Sequence, residues 1–123
     1  MPPPARSGNY ADQSTSGFLG QTIAAYDDGY IVSAPAGSFP ANAKGLFDMG
    51  GNVAEWVSDF YDIQVGSGDK AELDPLGPGK GEFHVIRGSS WAHGTLTELR
   101  LSYRDYNAKA RDDVGFRIAR YLE

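Results

Sequence analysis

Hydrophobic and polar residues follow regular patterns mainly in the second half of this chain. In residues 99–104, leucine or tyrosine alternates with arginine or serine, which is typical of a strand with one buried face. Residues 83–87 and 114–121 are rich in β-branched and aromatic residues, which also favours strands. With hairpin-length links between them, the three runs predict a small antiparallel sheet.

Residues 53–61 fit two patterns. The spacing of their apolar residues matches a helical stripe and also allows the alternation of a strand. We predict a strand, because aromatic and β-branched residues dominate. Upstream, Asp28-Gly29 separates the apolar runs 22–26 and 31–32, which indicates a tight turn.

The other segments lack periodicity. Residues 1–20 are polar and rich in small residues, which predicts an extended lead-in. Glycine and proline are frequent in residues 33–52 and 62–81, so we expect an ordered loop in the first range and a surface loop in the second.

Composition limits the possible chemistry. The 123 residues fit one compact domain, and 16 glycines and 7 prolines make it rich in turns. Hydrophobic residues make up 41%, which is enough for a core. The chain has no cysteine, which excludes disulfides, thiolate zinc sites and a cysteine nucleophile within it.

The formal net charge is −5, which argues against nucleic-acid binding. This charge is distributed unevenly along the chain. Residues 1–80 carry ten acids against four bases, whereas residues 81–123 carry seven bases against six acids. The late arginines either form ion pairs with the acidic first part or recognise an anion. No apolar run is long enough to cross a membrane, so we expect a soluble, cytoplasmic protein.

Three segments carry a family resemblance. Residues 42–56, NAKGLFDMGGNVAEW, closely resemble the signature of the formylglycine-generating enzyme (sulfatase-modifying factor) family. Residues 87–91, RGSSW, and 114–117, VGFR, are similar to the two C-terminal signatures of that family, in the same order. Residues 8–12 and 26–30 also fit, so the resemblance covers about residues 8–121.

The resemblance implies a fold. It corresponds to the C-terminal portion of the family domain, so we expect one N-terminally shortened domain over residues 1–123, with residues 1–8 as an extended lead-in. The family has a variant of the C-type lectin fold. The expected class is therefore a loop-rich α+β fold with a small antiparallel sheet.

The resemblance also removes an activity. The family's enzymes oxidise a substrate cysteine with two copper-binding cysteines that follow the RGSSW-type motif, but residues 90–98 contain none. We therefore expect no copper. His93 stands at or beside the first of these positions. A metal site of His93 with Glu98 or His84 would suit copper, iron or zinc, but one or two histidines fall short of a convincing ligand set.

Calcium is the cofactor that the resemblance implies. It needs six to eight oxygen ligands, often gathered by a turn-rich loop. One family site corresponds here to Asn9, the Tyr10 carbonyl, Asp28 and the Tyr30 carbonyl. A second site corresponds to Asp48, the Gly51 carbonyl, the Val53 carbonyl and Glu55. Without calcium, Asp28 would simply form the Asp-Gly turn and Glu55 would pair with a late arginine.

The predicted function is a noncatalytic ligand-binding or accessory module of this family. Its ligand is expected to be a peptide, a protein or a small molecule, with no nucleic acid and no membrane as partner. The residues expected to surround a surface depression are Trp91, His93, Arg104, Asp105 and Tyr106.

Two alternatives remain open. In the first, the chain is the C-terminal part of a metal-dependent oxidase of the nonheme iron type, with histidine ligands on another domain. In the second, it is a recognition protein diversified by a retroelement, with variable positions among residues 92–94 and 103–113.

Overall fold

The computed structural model describes residues 3–63, 73 and 75–120. Its regular elements are one turn of 3-10 helix at Gln13–Thr15 and four strands. The strands are β1 (Ala54–Phe60), β2 (His84–Arg87), β3 (Arg104–Asn107) and β4 (Val114–Gly115). They form one sheet in the order β3-β2-β1-β4. No helix of the described residues is long and apolar enough to cross a membrane.

The sheet is mixed, which corrects the prediction of an antiparallel one. β1 and β3 both run antiparallel to β2, but β4 pairs with β1 in the parallel direction. Because β3 and β4 lie on opposite edges and point the same way, the chain crosses over between them and does not form a hairpin. Of the expected α+β fold, the small sheet and the loops are present. The helical content of the described residues is limited to the 3-10 turn at Gln13–Thr15.

Strand predictions succeeded in the centre of the sheet. The structure confirms a strand within residues 53–61 and another within residues 83–87. The long loop over residues 33–52 is also confirmed, because these residues form only turns and bends. The predicted surface loop at 62–81 falls largely on residues 64–72 and 74, which lie outside the described part of the chain.

The strand predicted at residues 99–104 is wrong. Residues 95–102 form consecutive turns, and the side chain of Leu101 is 95% exposed. The Glu98 carboxylate accepts hydrogen bonds from the Thr95 backbone N–H and hydroxyl, which curls the backbone before it can extend. The Arg87 guanidinium then holds the next bend by donating to the carbonyls of residues 101–103.

The strand predicted at residues 114–121 is much shorter in the structure. β4 ends at Gly115, and residues 116–120 have no regular structure, with Phe116 and Ile118 exposed. Arg117 turns instead towards Glu55 on β1, with which it forms an ion pair. Residue 121 is outside the described part.

The core combines residues of β1 and β2 with residues from the first forty positions of the chain. The lead-in predicted for residues 1–20 is therefore corrected, because Gly8 and residues such as Ala11 and Thr15 are buried. The buried apolar residues are Ala11, Ile23, Tyr26, Ala34, Phe39, Ala54, Val85, Ile86 and Trp91. As many polar residues are buried with them: Asn9, Asp12, Thr15, Asp28, Asn52, Ser89, Ser90, His93 and Asp113.

Candidate functional site

Three residues of the first predicted calcium set are linked in the structure, because the Asp28 carboxylate binds the backbone N–H groups of Tyr10 and Tyr30. Asp28 is only 3% exposed, and its two carboxylate oxygens accept from the backbone N–H groups of Tyr10, at 2.9 Å, and Tyr30, at 3.0 Å. The turn predicted at Asp28-Gly29 is present, but no strands flank it as in a hairpin. Instead, the Asp27 and Asp28 carboxylates each accept a hydrogen bond from the backbone N–H two residues ahead.

Asn9, the residue before Tyr10, has an unsatisfied side-chain oxygen. Its amide nitrogen donates to the Val32 carbonyl at 2.7 Å, but its Oδ1 is buried and has no hydrogen-bond partner among the described residues. Gly51 packs directly against the Asn9 backbone, where a Cβ at position 51 would lie 2.7 Å from the Asn9 carbonyl oxygen. A buried acceptor without a donor is costly unless a ligand or cation completes it.

Asp12 is a member of this cluster that the sequence prediction missed. It is fully buried, and it accepts from the Ser14 backbone N–H and hydroxyl and, through Oδ2, from the backbone N–H of Asp28 at 2.8 Å. Its spacing of three residues from Asn9 was the available signal. Among the described residues no ion pair reaches Asp12 or Asp28.

The charge of this cluster changes the acidity of Asp28. Burial raises its pKa, the hydrogen bonds from the Tyr10 and Tyr30 N–H groups oppose that effect, and repulsion from Asp12 and Asp27 adds to it. The net result is a pKa above the ordinary value for an aspartate. The carboxylates of Asp12 and Asp28 thus place buried negative charge here without an ion-pair partner among the described residues.

The second predicted set is arranged differently. Both oxygens of Glu55 are bound by Arg117, with Nη2 at 2.6 Å from Oε1. The same Nη2 also donates to the Phe47 carbonyl at 2.9 Å. Asp48 has a left-handed backbone (φ 52°), accepts from the Gly37 N–H through Oδ2, and keeps its buried Oδ1 without a partner in the described residues. A guanidinium therefore already lies among the oxygens of this set.

The motif residues Ser90 and His93 belong to a buried polar network. His93 is 7% exposed; its Nδ1 accepts from the Ser90 N–H at 3.1 Å, and its ring packs edge-on against Tyr103. The Ser90 hydroxyl donates to the Asp113 carboxylate at 3.1 Å. These contacts hold the chain that follows the RGSSW motif in a tight turn.

Arg111 completes this network. It forms ion pairs with Asp105 and with Asp113, the latter through two nitrogens at 2.7 and 2.8 Å. Burial raises the pKa of Asp113, but the hydrogen bond and charge of Arg111, with help from Ser90 and His93, bring it below the ordinary value. The sequence analysis counted Arg111 among the late arginines but did not predict its pairing with Asp113, because nothing in their spacing marks them as partners.

The five residues expected around one depression lie on two sides of β3. Trp91 and His93 are buried, and Asp105 joins the Arg111 pair behind them. On the other face, the Arg104 guanidinium lies 5.0 Å from the ring centre of Tyr61, and Tyr106 stacks on Tyr61 at 4.1 Å. The structure therefore does not bring the five side chains together into one surface.

The arginines follow the ion-pair interpretation in part. Arg117 pairs with Glu55 in the acidic first part, as that interpretation expects, whereas Arg111 pairs with nearby acids of the late segment. Within the described residues no three histidine, aspartate or glutamate side chains form a group able to hold a metal ion. Any metal bound there would need backbone carbonyl or amide oxygens.

A protein family model and several known proteins match the sequence of this chain. A family model described as the sulfatase-modifying factor enzyme 1-like domain matches residues 6–122. The chain is 36% identical over 91 residues to the serine/threonine-protein kinase Pkn1 of Chlamydia trachomatis, covering 72% of this chain and 15% of the kinase. It is 34% identical over 97 residues to the formylglycine-generating enzyme of Streptomyces coelicolor, covering 76% of this chain and 31% of that enzyme.

Solved structures show a related arrangement. The structure of PvdO from Pseudomonas aeruginosa matches with a TM-score of 0.60 and 36% identity, covering 78% of this chain and 36% of PvdO. Treponema denticola variable protein 1 matches with a TM-score of 0.65 and 26% identity, covering 90% of this chain and 34% of that protein. This chain thus spans about a third or less of the length of each of these four proteins.

Proposed function

Since the chain belongs to the sulfatase-modifying factor enzyme 1-like family, we propose that it is a noncatalytic ligand-binding or accessory module with a calcium-supported, C-type lectin-like fold. The loop-rich architecture with a small sheet and the similarity to PvdO support such a fold. The proposal names a binding role because the chain lacks the cysteines on which the family's oxidation depends.

The observation that carries the proposal is the position of His93. The family resemblance assigns the place at or beside His93 to a reactive cysteine, which must reach its substrate. Here the side chain is buried, bound to the Ser90 N–H and packed on Tyr103. A group in that environment stabilises the turn and does not meet a substrate.

The similarity to Pkn1 supports the accessory part of the proposal. The matched region is 15% of that kinase, so a domain of this kind is found there as part of a longer protein. A module that binds a partner or ligand suits such a context, because recognition can be transferred between proteins independently of the chemistry of the rest.

Calcium is proposed at the first set, where the residues fit it. Asn9 Oδ1 lacks a donor, and Asp28 and Asp12 are buried without a cationic partner among the described residues. Calcium there would neutralise the carboxylates and tie residues 9–12 to residues 28–30. The second set does not fit, because the Arg117 guanidinium already binds Glu55 and the Phe47 carbonyl.

The test combines metal content with thermal stability. The purified chain is analysed for bound metals and then melted with and without a chelator. Calcium near one equivalent, with a melting temperature that falls in chelator and recovers on adding calcium, supports the proposal. Bound copper or iron with redox activity overturns it in favour of the oxidase alternative, and an absence of calcium binding by calorimetry removes the calcium site.

A diversified recognition protein is the second candidate, because of the match to Treponema denticola variable protein 1. Of the proposed variable positions, Tyr106 and residues 108–110 are exposed and tolerate change, whereas His93 and Asp113 are buried. A near-copy of the coding segment beside a reverse transcriptase gene would favour this candidate. Its absence from the genome would dismiss it.

A further inference from the structure

One cavity of the described residues has walls that include Tyr10 and Asp48 of the two predicted calcium sets but no residue of the His93 network. It has a volume of about 680 Å³ and lies where four segments meet. These are residues 5–10, the loop 40–50, the motif residues 87–89 and the turn 99–101. Its size is in the range of ligand-binding sites.

Its walls are positively charged in a protein of net charge −5. Three arginines, Arg6, Arg87 and Arg100, line the cavity against one carboxylate, Asp48. None of the ion pairs of the described residues involves Arg6 or Arg100, whose positions are exposed. Asp48, as the one carboxylate among the lining residues, offsets only one of these three positive charges. Basic walls around a concave surface concentrate anionic ligands.

Apolar side chains at the rim have no role in the core. Leu46 and Met49 are 42% and 48% exposed, and Leu101 is 95% exposed. All three line the same cavity, with Leu99 beside them. An apolar rim next to guanidinium groups that form no ion pair within residues 3–63, 73 and 75–120 suits a ligand that alternates apolar and acidic groups.

The number of charges at the cavity decides which kind of ligand fits. The polar residues Tyr10, Asn42 and Ser89 also line it, but their side-chain oxygens already bind backbone groups of the protein. A simple fatty acid has one carboxylate for the two exposed arginines, whereas a peptide can carry several carboxylates and apolar side chains along its length. A phosphate or sulfate ion would leave the leucine and methionine side chains in water.

We propose that this cavity binds a short acidic-apolar peptide segment of a partner protein, with its carboxylates on Arg6 and Arg100 and its apolar side chains on Leu46, Met49 and Leu101. The proposal rests on the binding-module function proposed above and names the class of ligand. Arg87 has a positioning role, because its guanidinium already holds the carbonyls of residues 101–103 and so shapes the turn that carries Arg100 and Leu101.

The test uses the whole chain and the peptide acetyl-Leu-Asp-Leu-Glu-Leu-amide, with binding followed by calorimetry. Two peptides of the same length serve as controls, one with Asn and Gln in place of the acids and one with Ser in place of the leucines. We expect the acidic-apolar peptide to bind, each control peptide to bind at least about fivefold more weakly, and added salt to weaken binding.

Variants of exposed residues locate the binding. Arg100→Gln and Arg6→Gln should each weaken binding about threefold to fivefold, since each removes one partly exposed charge pair. Leu101→Ser should weaken it about fivefold to tenfold through lost apolar contact. Arg120→Gln is the matched control, because Arg120 is also exposed but does not line the cavity, and it should leave binding unchanged.

Several outcomes overturn the proposal. They are no binding of the acidic-apolar peptide at millimolar concentration, equal binding of the neutral peptide, or an effect of Arg120→Gln as large as that of Arg100→Gln. Displacement of the peptide by inorganic phosphate at similar concentration would identify a simple anion site and overturn it as well. Melting temperatures confirm that each variant is folded. Because the metal content is measured separately, failure here leaves the proposed calcium-supported module standing, and redox metal in the protein would count against that module alone.

Discussion

Asp28 and Asp113 are both buried aspartates, 3% and 5% exposed, yet their surroundings are opposite. Asp113 receives two nitrogens of Arg111 and the hydroxyl of Ser90, which lower its pKa in spite of burial. Asp28 receives only backbone N–H groups and lies beside the buried Asp12, and its pKa is raised. The late part of the chain thus carries its own counter-charge, while the early part has buried negative charge that a cation would neutralise.

The largest effect is expected from removing Arg111, the cation that pairs with Asp113 in the late part of the chain. Arg111→Met leaves Asp105 and Asp113 without their partner, and we expect a loss of about 3 kcal/mol in the free energy of unfolding, measured in urea. Arg120→Met is the control for loss of a surface arginine and should cost less than about 0.5 kcal/mol. A loss for Arg111→Met no larger than that of the control would contradict the assignment of Arg111 as the counter-charge.

Replacing Asp28 tests whether bound calcium stabilises the early part of the chain. With calcium at a hundred times its Kd, the wild-type chain should gain about 2.7 kcal/mol in unfolding free energy over its value in chelator. Asp28→Asn should lose most of this calcium-dependent gain. Asp27→Asn should retain it, because Asp27 is adjacent to Asp28 but exposed, and its side chain bonds the Gly29 N–H, two residues ahead of it. Equal loss in both variants would mean that Asp28 has no special place in the site.

The pH dependence of stability in chelator should separate the two aspartates. The lowered pKa of Asp113 contributes stability above the ordinary aspartate value of about 3.9, and this is lost as the pH falls through the folded-state pKa. The raised pKa of Asp28 acts in reverse, with its contribution present below about 3.9 and lost as the pH rises through the folded-state pKa.

The measurement for this prediction is urea unfolding from pH 3 to 7 of the wild type, Asp113→Asn and Asp28→Asn. The advantage of the wild type over Asp113→Asn should shrink as the pH falls. Its difference from Asp28→Asn should turn against the wild type as the pH rises. Parallel profiles for the two variants would show that the two environments do not differ.

The smallest expected effect concerns the Arg117–Glu55 ion pair, which joins the late part of the chain to the early part. Arg117→Gln removes the contact to Glu55, whose side chain is 23% exposed against 36% for Arg117. Because this pair is partly in solvent, we expect a loss of only about 0.5 to 1 kcal/mol, which higher salt should reduce in the wild type. A loss of the size expected for Arg111→Met would mean that the early part also depends on an arginine.

The sequence predicted the centre of the sheet better than its edges. β1 and β2 are rich in aromatic and β-branched residues and are flanked on both sides, so local preference and tertiary packing agree there. Residues 99–104 have an equally regular alternation, but the chain there is held in turns. The Arg87 side chain binds the carbonyls of Leu101 and Ser102, and the Glu98 side chain binds the Thr95 N–H just before the segment. Such side-chain hydrogen bonds depend on partners that hydrophobic spacing does not reveal.

The candidate site shows the same division. The family resemblance located Asn9, Tyr10, Asp28 and Tyr30, and the structure places Asp28 in direct contact with Tyr10 and Tyr30. The resemblance gave no indication of Asp12 or of the Arg111 network, because the residues that bind one another there come together only when the loops pack. The grouping of Asp105 with Arg104 and Tyr106 failed because successive residues of a strand point to opposite faces.

The parallel pairing of β1 with β4 has a consequence for how the chain folds. Ala54 and Val114 are partners although sixty residues separate them, and the Asn52 N–H likewise bonds the Asn9 carbonyl across the first loops. Folds built from such distant contacts form slowly, on the order of milliseconds to seconds, because long loops must close before their contacts contribute. During synthesis, one side of the central strand stays without its neighbour until Val114 has left the ribosome, and during that interval it is open to pairing with other chains.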